Sequence, residues 1–167
     1  MRIAGITHES IVDGPGIRVV VFMQGCNQAC SHCHNPESWS LDSGKEYTVR
    51  QVIRTIKKPG PSRKPIKGVT FSGGEPFLQA GELAQVAFEA HRIGWDVTTY
   101  TGYTYEELAA RADADIQALL KFTDYLIDGP YIHEQRDLSL KFRGSGNQRI
   151  INMDATRKKG RVMLYYG

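Results

Sequence analysis

The stretch Ile17-Arg18-Val19-Val20-Val21-Phe22-Met23-Gln24-Gly25-Cys26 decides the fold. Its first seven residues are rich in β-branched and aromatic types and stop short of a glycine, which predicts a buried strand. The chain then enters Cys26-Asn27-Gln28-Ala29-Cys30-Ser31-His32-Cys33-His34-Asn35-Pro36, a polar loop that carries every cysteine of the protein. Functional loops that follow the C-terminal ends of strands are the layout of parallel α/β sheets.

The same strand-then-loop unit recurs downstream. Val49, Val52, Ile53 and Ile56 repeat at helical spacing behind Thr48, a suitable N-cap. After a Pro/Gly/basic loop at 59–65, Gly68-Val69-Thr70-Phe71 predicts a second strand that runs into Ser72-Gly73-Gly74-Glu75-Pro76. Leu83, Val86, Ala87 and Ala90 mark a helix that Gly94 stops, and 95–100 is a third strand ending at Thr101-Gly102-Tyr103. Thr104 and Glu107 form a capping box for a helix that Ile116, Leu119 and Leu120 continue or restart. Tyr125-Leu126-Ile127 is a fourth strand, ending at Asp128-Gly129-Pro130. Residues 148–153 and 162–166 predict two more. The gap between those two is too short for a helical crossover, so the last is expected as an edge or antiparallel addition.

This alternation predicts an α/β fold with a mainly parallel sheet. A complete eight-fold barrel takes about 250 residues, and 167 cannot supply them. The sheet is therefore open and doubly wound, or an incomplete, splayed βα barrel of about six strands; the second is the expectation, within a single domain over 1–167. Composition adds exclusions. The longest apolar run, 19–23, is far too short to span a bilayer, and the first residues lack a secretory signal. A cytoplasmic protein with no membrane partner is expected. A net charge of +3 is too mild to point to nucleic acid, and Arg157-Lys158-Lys159-Gly160-Arg161 is expected to be a solvated tail.

Three cysteines within eight residues do not make a disulfide scaffold. They suggest a metal in a reducing compartment, and soft thiolates suit zinc or an iron–sulfur cluster. Structural zinc takes four ligands. A fourth would have to be His32 or His34, awkwardly adjacent to Cys33, or His8, His91 or His133 arriving through the fold. A cubane has four irons, so three thiolates leave one without a protein ligand. That suits an enzyme needing an open position better than a passive electron carrier. Spacing alone leaves both metals open.

Cys26-x₃-Cys30-x₂-Cys33 after the first strand, with Gly73-Gly74-Glu75-Pro76 after the second, resembles the radical S-adenosylmethionine superfamily. A narrower set of motifs runs through the chain: Asp13-Gly14-Pro15-Gly16-Ile17-Arg18, Cys33-His34-Asn35-Pro36, Asp128-Gly129-Pro130-Tyr131 and Phe142-Arg143-Gly144-Ser145-Gly146-Asn147-Gln148-Arg149. Together these resemble the activating-protein family of anaerobic (class III) ribonucleoside-triphosphate reductases. One departure is His32, where the superfamily often carries an aromatic ring.

The resemblance implies a [4Fe-4S] cluster on Cys26, Cys30 and Cys33, with S-adenosyl-L-methionine chelating the remaining iron. It implies reductive cleavage to a 5′-deoxyadenosyl radical that takes an α-hydrogen from a glycine of the reductase, fed by a low-potential electron donor the sequence does not identify. Gly73, Gly74 and Glu75 are then expected around the cofactor's ammonium, Thr101 and Asp128 on its ribose or amine, and His32 against its adenine. Arg143, Asn147 and Arg149 are expected to touch ligand or partner. Two other functions share parts of this pattern: a deazaguanine-forming synthase type of radical enzyme, and a non-enzymatic zinc-binding module.

Overall fold

The computed structural model describes residues 1–166 and resolves one seven-stranded sheet backed by helices. The strands are β1 (Arg2–Ser10), β2 (Arg18–Met23), β3 (Lys45–Glu46), β4 (Gly68–Gly73), β5 (Asp96–Tyr100), β6 (Tyr125–Asp128) and β7 (Arg149–Asn152). Their spatial order is β3-β1-β2-β4-β5-β6-β7. β2, β4, β5 and β6 run parallel, while β1 and β7 add antiparallel on either side and β3 lies antiparallel outside β1. The sheet does not close, as expected of a splayed barrel.

The parallel strands are those predicted, because their sequences are unbroken runs of residues that tolerate burial on both faces. Val19, Val21, Met23, Val69, Phe71, Val97 and Leu126 join one core with the helices α1 (Val49–Ile56), α2 (Ala80–Arg92), α3 (Tyr105–Ala109) and α4 (Ala114–Phe122). Arg18, Val20, Thr70 and Thr98 alternate with them and are buried too, so they face the other side of the pleat. Loops reach that side: Thr70 Oγ1 donates to Asp13 O at 2.8 Å, and Tyr100 Oη donates to Phe142 O at 2.8 Å.

Helix ends follow local chemistry. Thr48 and Thr104 each close a capping box, with Gln51 and Glu107 reaching back. Gly94 turns left-handed (φ 79°) beyond α2, a turn that glycine makes without a Cβ clash. Asp113 caps α4 by accepting from Asp115 and Ile116 N–H, so the helical pattern after Leu108 restarts rather than continues.

Three differences from the expectation have physical causes. β1 was not predicted: Ile3 alone of its residues is fully buried, and two register shifts against β2 erase any clean alternation. The basic run is solvated as expected, but it is not a tail: it forms the end of a fifth helix, α5 (Met153–Lys159), capped by Asn152 and stopped by left-handed Gly160. Arg157 Nη1 reaches the Leu120 and Thr123 carbonyls at the end of α4, each at 3.3 Å. The sixth predicted strand, at 162–166, reduces to a single antiparallel bridge between Ile151 and Leu164. No helix among the described residues is long and apolar enough to cross a membrane.

Candidate functional site

β2 and β4 pair in register from Arg18 beside Gly68 to Met23 beside Gly73, so both strands end at the same height. The cysteine loop therefore sits directly on the Gly-Gly loop. Gly74 N–H donates to Met23 O at 2.9 Å, and Glu75 N–H donates to Gly25 O at 2.8 Å. The glycines are required by this approach. A Cβ on Gly73 would lie 2.7 Å from Met23 N, and one on Gly74 would run into the Gly25 carbonyl. Gly73 also holds φ at 85°, where an L side chain is strained. Both line a cavity of about 910 Å³ that opens beyond the ends of β2, β4 and β5.

All three cysteines line that cavity and none is in a disulfide. The loop is wound tightly. Cys33 N–H donates to Cys30 O, and Ala29 (φ 46°) and His32 (φ 58°) are left-handed without being glycine. Such residues cost of order 1–2 kcal/mol each and persist where a site needs the turn they make. Gln28 N–H points at Cys26 Sγ (3.5 Å) and Asn35 N–H at Cys33 Sγ (3.4 Å). Burial pushes the Cys26 thiol up; the Gln28 N–H opposes this, and the Glu75 carboxylate adds to the upward push.

Glu75 is 1% exposed, and its carboxylate is fully engaged by the protein. Oε1 accepts from Phe77 N–H (3.0 Å) and Thr101 Oγ1 (3.0 Å), and Oε2 accepts from Gly102 N–H (2.8 Å). Burial raises its pKa to about 7 against the pull of the Gly102 and Phe77 N–H groups and the Thr101 hydroxyl. Glu75 thus ties the β4 loop to the β5 loop. Thr101 lines the cavity, but its hydroxyl also accepts Tyr103 N–H at 3.1 Å.

Two predicted ligand contacts are not on the cavity wall. Asp128 is 1% exposed; Arg149 Nε donates to Oδ1 at 3.0 Å, Arg149 Nη2 pairs with Oδ2, and Tyr105 N–H donates to Oδ2 at 2.7 Å. Its carboxylate fastens β6 to β7 and α3. His32 turns outward and stacks on His133, with ring centroids 4.1 Å apart; its neighbour His34 lines the cavity instead. Of the other three, Arg149 binds Asp128 and Glu106 and Asn147 Nδ2 donates to Pro130 O, while Arg143 lines the cavity. Asp13, Tyr100, Arg136 and Gln148 also line it; Asp13 and Gln148 stand in the motifs quoted above, but none of the four carries a site role in the sequence reading. The Asp13-Gly14-Pro15-Gly16 motif is the signal for Asp13, and the 142–149 motif that for Gln148. The former folds over Arg18, whose fully buried guanidinium pairs with Asp96 at 2.6 Å and donates to Pro15 O at 2.8 Å.

The chemistry of the donor set fits an iron–sulfur cluster: three free thiols on one loop all line the cavity, and a cubane binds each thiolate at a different iron.

Comparison with known proteins agrees. Residues 12–151 match the family model described as a 4Fe-4S single cluster domain, so the protein carries a [4Fe-4S] domain. The anaerobic ribonucleoside-triphosphate reductase-activating protein of Vibrio cholerae is 38% identical over 145 residues, 84% of this chain and 90% of that one. Its Haemophilus influenzae counterpart is 36% identical over 147 residues, with the same coverage. The pyruvate formate-lyase-activating enzyme of Clostridium pasteurianum is 39% identical over 117 residues, 67% of this chain and 49% of that one. The four-iron domain, the coverage and the identity together make this chain a member of the anaerobic ribonucleoside-triphosphate reductase-activating protein family.

Proposed function

We propose that this chain is a radical S-adenosylmethionine activase for anaerobic ribonucleoside-triphosphate reductase. Cys26, Cys30 and Cys33 are its cluster ligands, and residues 1–167 act as one domain in the cytoplasm. The observation that carries the reading is the three-thiol loop seated on the Gly73–Gly74 backbone at the head of a large cavity. A cavity of about 910 Å³ lies in the range of cofactor sites. When bound, the cluster and S-adenosyl-L-methionine supply a low-potential electron, a homolytic sulfur–carbon cleavage and the adenosyl radical that takes a glycine α-hydrogen.

The chain's own residues hold and orient. The N–H groups of Gln28 and Asn35 support the thiolates of Cys26 and Cys33. Gly73 and Gly74 present backbone rather than side chains to the cavity, where the cofactor's ammonium would find acceptors. Glu75 acts as a positioning residue, since it fixes Gly102 and Thr101 on the opposite wall. Thr101 keeps its place as a wall residue. Asp128 acts at one remove, through Arg149, and His32 through its stack on His133.

The activase reading predicts a brown protein with about four irons per chain after anaerobic reconstitution. With reductant it should convert S-adenosylmethionine to 5′-deoxyadenosine and methionine, and replacing Cys26, Cys30 and Cys33 together by Ala should abolish colour and cleavage. A colourless protein holding about one zinc would contradict it and restore the binding-module alternative. A modified purine formed without any protein partner would favour the synthase type.

A further inference from the structure

We propose that Arg143 is a carboxylate receptor on the cavity wall, a role that rests on the activase reading above. Two arginines of the sheet, Arg18 and Arg149, have acidic partners; of the two that line the cavity, Arg136 is exposed while Arg143 is half-buried. Arg18 pairs with Asp96, and Arg149 pairs with Asp128 and Glu106. Arg143 lines the cavity, yet no carboxylate of the described residues lies within 4.0 Å of it. Its Nη1 donates to Gln148 O at 2.9 Å, and its Nε is buried with no acceptor.

Most other members of the surrounding turn are satisfied without ligand, the buried Asn147 Oδ1 excepted. Phe142 O accepts from Tyr100 Oη, and Gln148 Oε1 accepts from the N–H groups of Gly144 and Ser145. Gln148 Nε2 donates to Gly129 O, and Ser145 Oγ accepts from Ile132 N–H. Two acids on the wall are hydrogen-bonded within their own loops, Asp13 to Ser10 Oγ and Asp137 to Ser139 N–H and Oγ, although the Arg143 charge also acts on Asp137. Arg136 and Lys141 also line the cavity but are exposed, whereas Arg143 carries a buried donor with no acceptor. A buried donor lacking an acceptor is a cost to the fold, and a planar guanidinium matches a carboxylate. The activase reading brings two such groups here: the α-carboxylate of S-adenosylmethionine, and an acidic side chain or chain end of the reductase segment that enters the cavity.

The test uses the cluster-loaded chain, Arg143→Lys and Arg143→Met. Each is titrated anaerobically with S-adenosylmethionine, with 5′-methylthioadenosine, which lacks the amino-acid end, and with the reductase. If the cofactor supplies the carboxylate, Arg143→Met weakens S-adenosylmethionine roughly 10- to 100-fold and leaves methylthioadenosine unchanged, with Arg143→Lys between. If the reductase supplies it, both small ligands bind normally and the reductase affinity falls by that factor. The proposal is overturned if all three affinities stay within about twofold at unchanged iron content, or if both small ligands weaken equally. A wild-type chain that binds no S-adenosylmethionine would instead bring down the activase reading, and this role with it.

Discussion

Gly74 has almost no freedom to change, because its Cα lies against the carbonyl that starts the cysteine loop. Gly74→Ala should displace that loop, cost about 1–3 kcal/mol and lower the iron bound per chain. Urea titration of the apo chain and iron analysis after reconstitution check both. Glu75 makes a prediction of opposite character. Its folded pKa of about 7 lies above its ordinary value of 4.5. The folded state therefore holds the proton more tightly than the unfolded chain, and this stabilisation is complete below pH 4.5. It is lost as pH rises through about 7, a change on the order of 3 kcal/mol. Apo-protein stability should fall across that window, and Glu75→Gln should flatten the fall. An unchanged slope in the variant would show that another group carries it.

At the scale of elements, the segment between β6 and β7 decides how the cavity is walled. Arg149 on β7 clasps buried Asp128 on β6 and exposed Glu106 at the start of α3. Its two partners should respond unequally. Arg149→Met leaves Asp128 buried with only the Tyr105 N–H, and should cost about 2–4 kcal/mol, somewhat less than a wholly buried pair because Arg149 is 32% exposed. Glu106→Gln removes a 57% exposed partner and should change stability by less than about 1 kcal/mol. The Glu106 carboxyl is held below its usual range, chiefly by the Arg149 hydrogen bond. Its small contribution is present above the ordinary carboxylate range and fades as pH falls. Parallel urea melts of the two variants check the inequality.

Over the whole molecule, the four parallel strands and their loops were legible because β-branched runs such as 19–21 fit few other states, and because cysteines and paired glycines punctuate them. The edges were not. β1 carries Gly5 and left-handed Glu9 within a bulged pairing, so tertiary pairing rather than pattern makes it a strand. α5 was hidden because Arg157, Lys158 and Lys159 read as solvated charge, and only Asn152 and Gly160 hint at its ends. In the site, the place of the three thiols and paired glycines on the cavity wall could be read from their residue types and their position after strands. The placement of Asp128 and His32 off that wall could not: a carboxylate after a strand looks the same whether it faces a cavity or an arginine 21 residues on, on the adjacent strand. Arg143 and Arg149, close in one motif, face different surroundings for the same reason.

The central claim is that this cavity delivers a radical to a glycine of a partner protein. Electron paramagnetic resonance on the reconstituted chain, mixed anaerobically with reductant, S-adenosylmethionine and the reductase, tests it most directly. A glycyl radical signal should grow with the 5′-deoxyadenosine formed and be absent with Cys33→Ala. Cleavage of S-adenosylmethionine by an intact four-iron chain, with no glycyl signal on the reductase, would contradict it.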